Sequence, residues 1–190
     1  MEGVVEHTAQ KKKIHPQKFA MWLAMASITM MFGGFTSAYV VRKAQGNWVF
    51  YHLPTIFWSS TAVILLSSVT MAVAVRSFRN RKMLLYGRMV GLTLVLGILF
   101  GVFQYIGFKE LYNQGIKISG NPSESFLFVI FIAHLLHIAG GVIALLIKFL
   151  MDRRKNIKVY NIVGLEIVAT YWHFVDVLWI YLFVFFLANQ

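Results

Sequence analysis

The 190-residue sequence predicts an all-α fold: a polytopic membrane protein built as a bundle of five transmembrane helices. Three observations lead there. The chain is 58% hydrophobic and 13% charged, and its apolar residues gather in continuous runs instead of the one-sided 3.6-residue periodicity of a soluble helix. Five of these runs approach the ~20 residues that a helix needs to cross the hydrocarbon core. The basic residues then alternate between the ends of the runs. Fourteen of the 18 Lys and Arg fall before or at the start of the first run, between the second run and the first residue of the third, or between the last turn of the fourth and the fifth. Cytoplasmic segments hold such an excess, so the N-terminus is expected in the cytoplasm and the C-terminus in the periplasm.

The elements follow in order. Residues 1–17 are a basic cytoplasmic segment, and residues 18–190 are one membrane domain without repeats or linkers. The first span, residues 18–41, is longer than a signal-peptide core and lacks a small-residue cleavage site, so it is expected to be retained. Its Met21, Met25, Met30 and Met31 read as flexible packing ahead of copper ligands. Trp48, Phe50 and Tyr51 suit the outer membrane interface. The second span, residues 54–75, starts at Pro54, and the hydroxyls of Ser59, Ser60, Ser67 and Ser68 are expected to bond back to their own helix. The third, residues 88–108, places Gly97 and Gly101 at the spacing that lets helices approach closely. Asn121, Pro122 and Glu124 form a capping sequence for the fourth, residues 125–149. The fifth covers residues 162–187.

Composition narrows the function. A formal net charge of +11 would suggest nucleic acid for a soluble domain, but in a membrane protein the positive loops account for it, and no nucleic-acid partner is expected. The chain has no cysteine, which excludes disulfides and thiolate metal sites.

Inside the spans the ionisable residues of interest are His134, His137, Glu166, His173 and Asp176. Each is costly in hydrocarbon unless paired or hydrated, which makes each a candidate site residue. His134, His137 and Gly141 stand at i, i+3 and i+7 on one stripe, the glycine leaving room for a neighbour. Glu166, His173 and Asp176 share a second stripe with Ala169, Thr170 and Val177, and His173 and Asp176 are one turn apart. The two stripes are expected to face each other as an interhelical polar cluster. Three readings stay open for it: a network that locks helices together, a proton or ion relay, or a site for a metal or haem.

Two motifs carry a resemblance. Glu166 followed by "IVATYWHFVDVLWIYLF" is similar to the last-helix signature of subunit III of the haem–copper oxidases, the cytochrome c and quinol oxidase superfamily. The segment "AHLLHIAGG", which contains His134, His137 and Gly141, resembles the H-x-x-H-x-x-x-G pattern of the same family's preceding helix, and "LPTIFWSSTAVILLSS" resembles short bacterial members. The resemblance implies a subunit of a bacterial inner-membrane oxidase that reduces O2 with electrons from cytochrome c or a quinol and pumps protons. The chain itself would be a component of that oxidoreductase, with no catalytic residue, cofactor or metal of its own. Haems and copper would belong to partner subunits I and II, with a subunit IV and a supercomplex with a quinol-oxidising complex as further partners. Its implied role is to stabilise the catalytic subunit, hold structural phospholipids and sustain proton uptake. Tyr171, Trp172, Phe174 and Trp179 would pack helices or lipid around the cluster. Two departures stand out. The family's long form has seven helices, so its lipid cleft would be incomplete here, and Ile28 in "SITMMF" takes the place of the family's usual buried glutamate. The alternative is a stand-alone proton-coupled transporter using the same cluster, although the repeats and broken helices typical of transporters are not evident. A lone b-type haem protein comes third.

Overall fold

The computed structural model describes residues 16–46, 52–115, 122–154 and 162–189. They form five helices: α1 (Pro16–Ala44), α2 (Ile56–Arg79), α3 (Met83–Asn113), α4 (Pro122–Arg154) and α5 (Ile162–Asn189). All five are long and apolar enough to cross a membrane, so the all-α, five-helix expectation holds. The helices extend past the predicted spans. α3, for example, begins at Met83 and ends at Asn113, where the sequence suggested residues 88–108. Hydropathy falls where side chains reach the interface, but the backbone hydrogen bonds continue through it, so the helix outlasts the apolar run.

Local chemistry sets the ends. Gly46 and Gly115 adopt positive φ after α1 and α3, and their N–H groups donate to the Lys43 and Tyr112 carbonyls. A glycine takes this left-handed conformation without a Cβ penalty. Pro54 stands two residues before α2, and its carbonyl accepts the N–H of Phe57. The Asn121 cap and the aromatic loop at residues 48–51 lie outside the described residues.

The helices alternate in direction. Lys18, Arg79 and Glu166 meet at one end, joined there by Tyr86 donating to Asp152, while Lys43 donates to Asn189 at the other. The first of these is called the basic end. α5 is the hub, packing its backbone against α1, α2 and α4. α1 joins α4, α4 joins α3, and α3 joins α2, whose short turn at Asn80–Lys82 makes the tightest hairpin. α1 does not touch α2. Accordingly α5 is the most buried span and α1 the least.

Candidate functional site

The site is built on the inner face of α5. Trp172, Val175, Asp176, Trp179, Phe183 and Phe186 recur at three- and four-residue intervals and are all buried. Trp172 shows what small residues do here. Its indole fills the space over Gly97 of α3 and Gly141 of α4: a Cβ on Gly97 would stand 2.6 Å from its Cη2, and one on Gly141 3.1 Å from its Cε3. Gly141 thus leaves room for a neighbour as its position suggested. Gly33, Gly34 and Gly101 face open space instead, so the expected close approach through Gly101 does not occur within this chain.

The polar partners of α5 come from α2. Trp172 Nε1 donates to Ser67 Oγ at 3.1 Å, Trp179 Nε1 donates to Thr61 Oγ1 at 3.0 Å, and His173 Nδ1 lies 2.7 Å from Ser68 Oγ. Gln104 of α3 donates to Ser60 Oγ at 3.1 Å. Ser60 bonds back to its own helix as expected, and Ser60, Ser67 and Ser68 each also join a second helix. A hydroxyl donates and accepts at once, so Ser60 gives its hydrogen to the Phe57 carbonyl and still accepts from Gln104. The signal was in the sequence, where Ser60 and Ser67 are two turns apart on one face. Gln104, buried on α3, was missed because a lone amide carries no pattern.

The five ionisable residues do not form one network. Glu166 sits at the basic end, where Oε2 accepts from Lys18 Nζ at 2.6 Å and Oε1 from Arg79 Nη2 at 2.9 Å. Cations at the ends of α1 and α2 reach it before any α4 histidine can. His173 turns to Ser68 and makes no hydrogen bond with Asp176. Asp176 is buried, and neither carboxylate oxygen has a hydrogen-bond partner; the Ser68 hydroxyl is a polar neighbour outside bonding geometry. His134 is buried with both ring nitrogens unpartnered and lies flat on Trp179, ring centroids 5.3 Å apart. His137 Nδ1 is 2.6 Å from the carbonyl of Ala133, and Tyr171 donates to the His137 carbonyl at 3.0 Å. The two stripes meet through rings and backbone, His134 on Trp179 and Tyr171 on the His137 carbonyl. Phe174 is half-buried and faces α1, where it lines a groove with Phe32 and Tyr181. Among the described residues no three His, Asp or Glu side chains converge as a metal site would require.

The family model for cytochrome c oxidase subunit III matches residues 47–188, a stretch that contains α2, α3, α4 and α5 as far as Ala188. The chain belongs to the cytochrome c oxidase subunit III family. It is 26% identical over 170 residues to cytochrome c oxidase subunit 3 of Bacillus sp. (strain PS3), which covers 85% of this chain and 80% of that protein. It is also 25% identical over 172 residues to probable quinol oxidase subunit 3 of Staphylococcus aureus (strain USA300), covering 87% and 85%. Together with the five spans, this makes it a multi-pass bacterial membrane protein and a haem–copper oxidase subunit III. In this subunit III the segment "YWHFVDVLW" is the buried side of the hub helix, with the exceptions of Tyr171, His173 and Phe174, which are half-buried, and of Val177, which is exposed.

Proposed function

We propose that the chain works within its oxidase as the non-catalytic third core subunit, which stabilises the catalytic subunit, holds phospholipid and helps to sustain proton uptake. One observation carries this reading: Trp172, His173 and Trp179 of the family signature are spent on holding α5 to α2, α3 and α4. A helix whose inner face is fixed in this way presents a stiff apolar exterior to lipid and to a larger membrane partner. The haems and copper belong to partner subunits I and II, with a subunit IV beside them. His137 and His173 are each already engaged in hydrogen bonds within this chain, which supports that placement. The basic end faces the cytoplasm, in line with the positive-inside rule.

The test is purification in mild detergent through a C-terminal tag, followed by a reduced-minus-oxidised spectrum and identification of co-purifying chains. Haem absorbance together with a large many-span partner is expected. A colourless chain recovered alone from membranes whose oxidase is intact overturns the reading.

A further inference from the structure

The turn between α2 and α3 holds a backbone conformation that its residue does not favour. Arg81 adopts φ 57° just past the end of α2, where a left-handed residue lets the chain reverse. The reversal is closed by two hydrogen bonds: the Arg81 N–H donates to the Phe78 carbonyl and the Lys82 N–H to that of Ser77. Glycine takes this conformation freely, as Gly46 and Gly115 do after α1 and α3, whereas the Cβ of an arginine comes close to the following carbonyl oxygen. The turn is also strongly basic. Residues 76–88 hold Arg76, Arg79, Arg81, Lys82 and Arg88 and no Asp or Glu, and all five basic residues are exposed. Among the described residues, the carboxylates of this end are already engaged. Glu166 accepts from Lys18 and Arg79, and Asp152 accepts from Tyr86 and Lys148.

We propose that this turn is the docking site for an acidic cytoplasmic segment of a partner protein in the oxidase, with Arg81 as the contact that fixes where the segment sits. The inference rests on the assembly reading proposed above. The positive-inside rule asks for charge on this side of the membrane but not at one backbone position, so it does not account for an arginine where glycine is easier. A cost kept in the backbone points to a contact that needs the side chain at that place. Arginine clusters recognise acidic segments, each guanidinium offering a carboxylate paired N–H donors. Five cations spread over residues 76–88 match several carboxylates along a chain better than one small anion. Phospholipid headgroups fit less well as the occupant. They are mobile and follow a cation wherever in the turn it stands, so they give no reason for its place at Arg81. Pairing at an exposed turn steers association and weakens with salt.

The experiment purifies the oxidase complex through a tag on this chain at rising salt and reads haem, co-purifying chains and bound phospholipid for each tagged chain. Arg81→Gly and Arg81→Ala are expected to weaken retention of one co-purifying chain roughly tenfold, the scale of one charge-assisted hydrogen bond. Arg81→Lys keeps most of it. A water-soluble carbodiimide, which joins an amine to a carboxylate, is expected to couple Lys82 to an Asp or Glu of that same chain, and mass spectrometry of the linked peptide names the segment. Thermal unfolding of the purified full-length chain supplies the second readout. Arg81→Gly is expected to melt about 2–4 °C above wild type, the shift for relieving one left-handed side chain in a protein of this length, whereas Arg81→Ala shows no gain. Weaker binding with higher stability is a combination that misfolding cannot produce. Retention of Arg81→Gly equal to wild type at every salt concentration overturns the site, as does an Arg81→Gly chain that melts no higher than wild type. Loss of bound anionic phospholipid from Arg81→Gly with every chain retained makes the membrane surface the occupant and overturns the proposal as well. A haem-bearing wild-type complex on which Arg81→Gly has no effect sinks only this inference, whereas a wild-type chain recovered without haem or partner sinks the assembly reading and this inference with it.

Discussion

At the residue scale, the bundle turns on two tryptophans that serve as both filler and donor. Trp172 occupies the space that Gly97 and Gly141 vacate, so added side-chain volume at those positions has nowhere to go. Gly97→Val is expected to lower stability by about 1–3 kcal/mol, the range for overpacking a filled core. Gly101→Val, four residues away with nothing within 4 Å of its added Cβ, serves as the control and is expected to be neutral. Thermal unfolding of the two variants in the same detergent distinguishes them, and equal shifts would refute the clamp. The His173–Ser68 bond is a lateral tie worth about 0.6 kcal/mol by comparison with other interhelical pairs in membranes. A double-mutant cycle of His173→Leu and Ser68→Ala should return that coupling, and additivity of the two single effects would show that the tie contributes nothing. Asp176 makes no ion pair or hydrogen bond, so Asp176→Asn, an uncharged isostere, should leave the subunit's retention in the complex unchanged. Loss of the subunit in that variant would mean that the carboxyl has a partner outside this chain.

At the scale of elements, α2 is the polar counterpart of α5. In hydrocarbon a donor without a partner is expensive, so two indole N–H groups and an imidazole need acceptors that only a neighbouring helix can supply. Thr61, Ser67 and Ser68 meet that need from buried or half-buried positions, whereas Ser59 is exposed. Replacing the three by alanine together should cost about 2 kcal/mol, on the order of 0.6 for each interhelical bond. Ser59→Ala should cost little, and a comparable loss from it would show that helix propensity, not the interhelical bonds, is being measured. α1 plays a different part. It meets only α4 and α5 and contributes least to the core.

At the scale of the molecule, the Lys18–Glu166–Arg79 cluster is, among the described residues, the point where polar side chains tie α1, α2 and α5 together. The ties are partly exposed and solvent-screened, so they position helix ends and contribute no more than about 1 kcal/mol. Raising ionic strength should therefore loosen the basic ends of α1 and α2, readable as faster amide exchange there, while the melting temperature of the core barely moves. A large fall in melting temperature with salt would mean that the cluster, and not the aromatic interior, holds the bundle.

The sequence by itself determined that the chain is all-α, that it crosses a membrane five times, and that it belongs with oxidase subunit III. Each of these follows from features that are local in the chain: runs of apolar residues long enough to span hydrocarbon, and the contiguous segment around Trp172 and His173. It also marked Gly141 as a place of close approach, because a glycine on a polar stripe leaves a vacancy whatever fills it. Only the tertiary structure decided which groups meet. Helical spacing put Glu166, His173 and Asp176 on one stripe, but rotation of α5 and the reach of its aromatic side chains sent Glu166 to Lys18 and Arg79, His173 to Ser68, and Asp176 into an unpartnered interior position. A stripe fixes azimuth along one helix; the partner is fixed by which helix packs there, and that depends on the summed volumes of Trp172, Trp179 and the phenylalanines around them, a quantity with no local trace in the sequence.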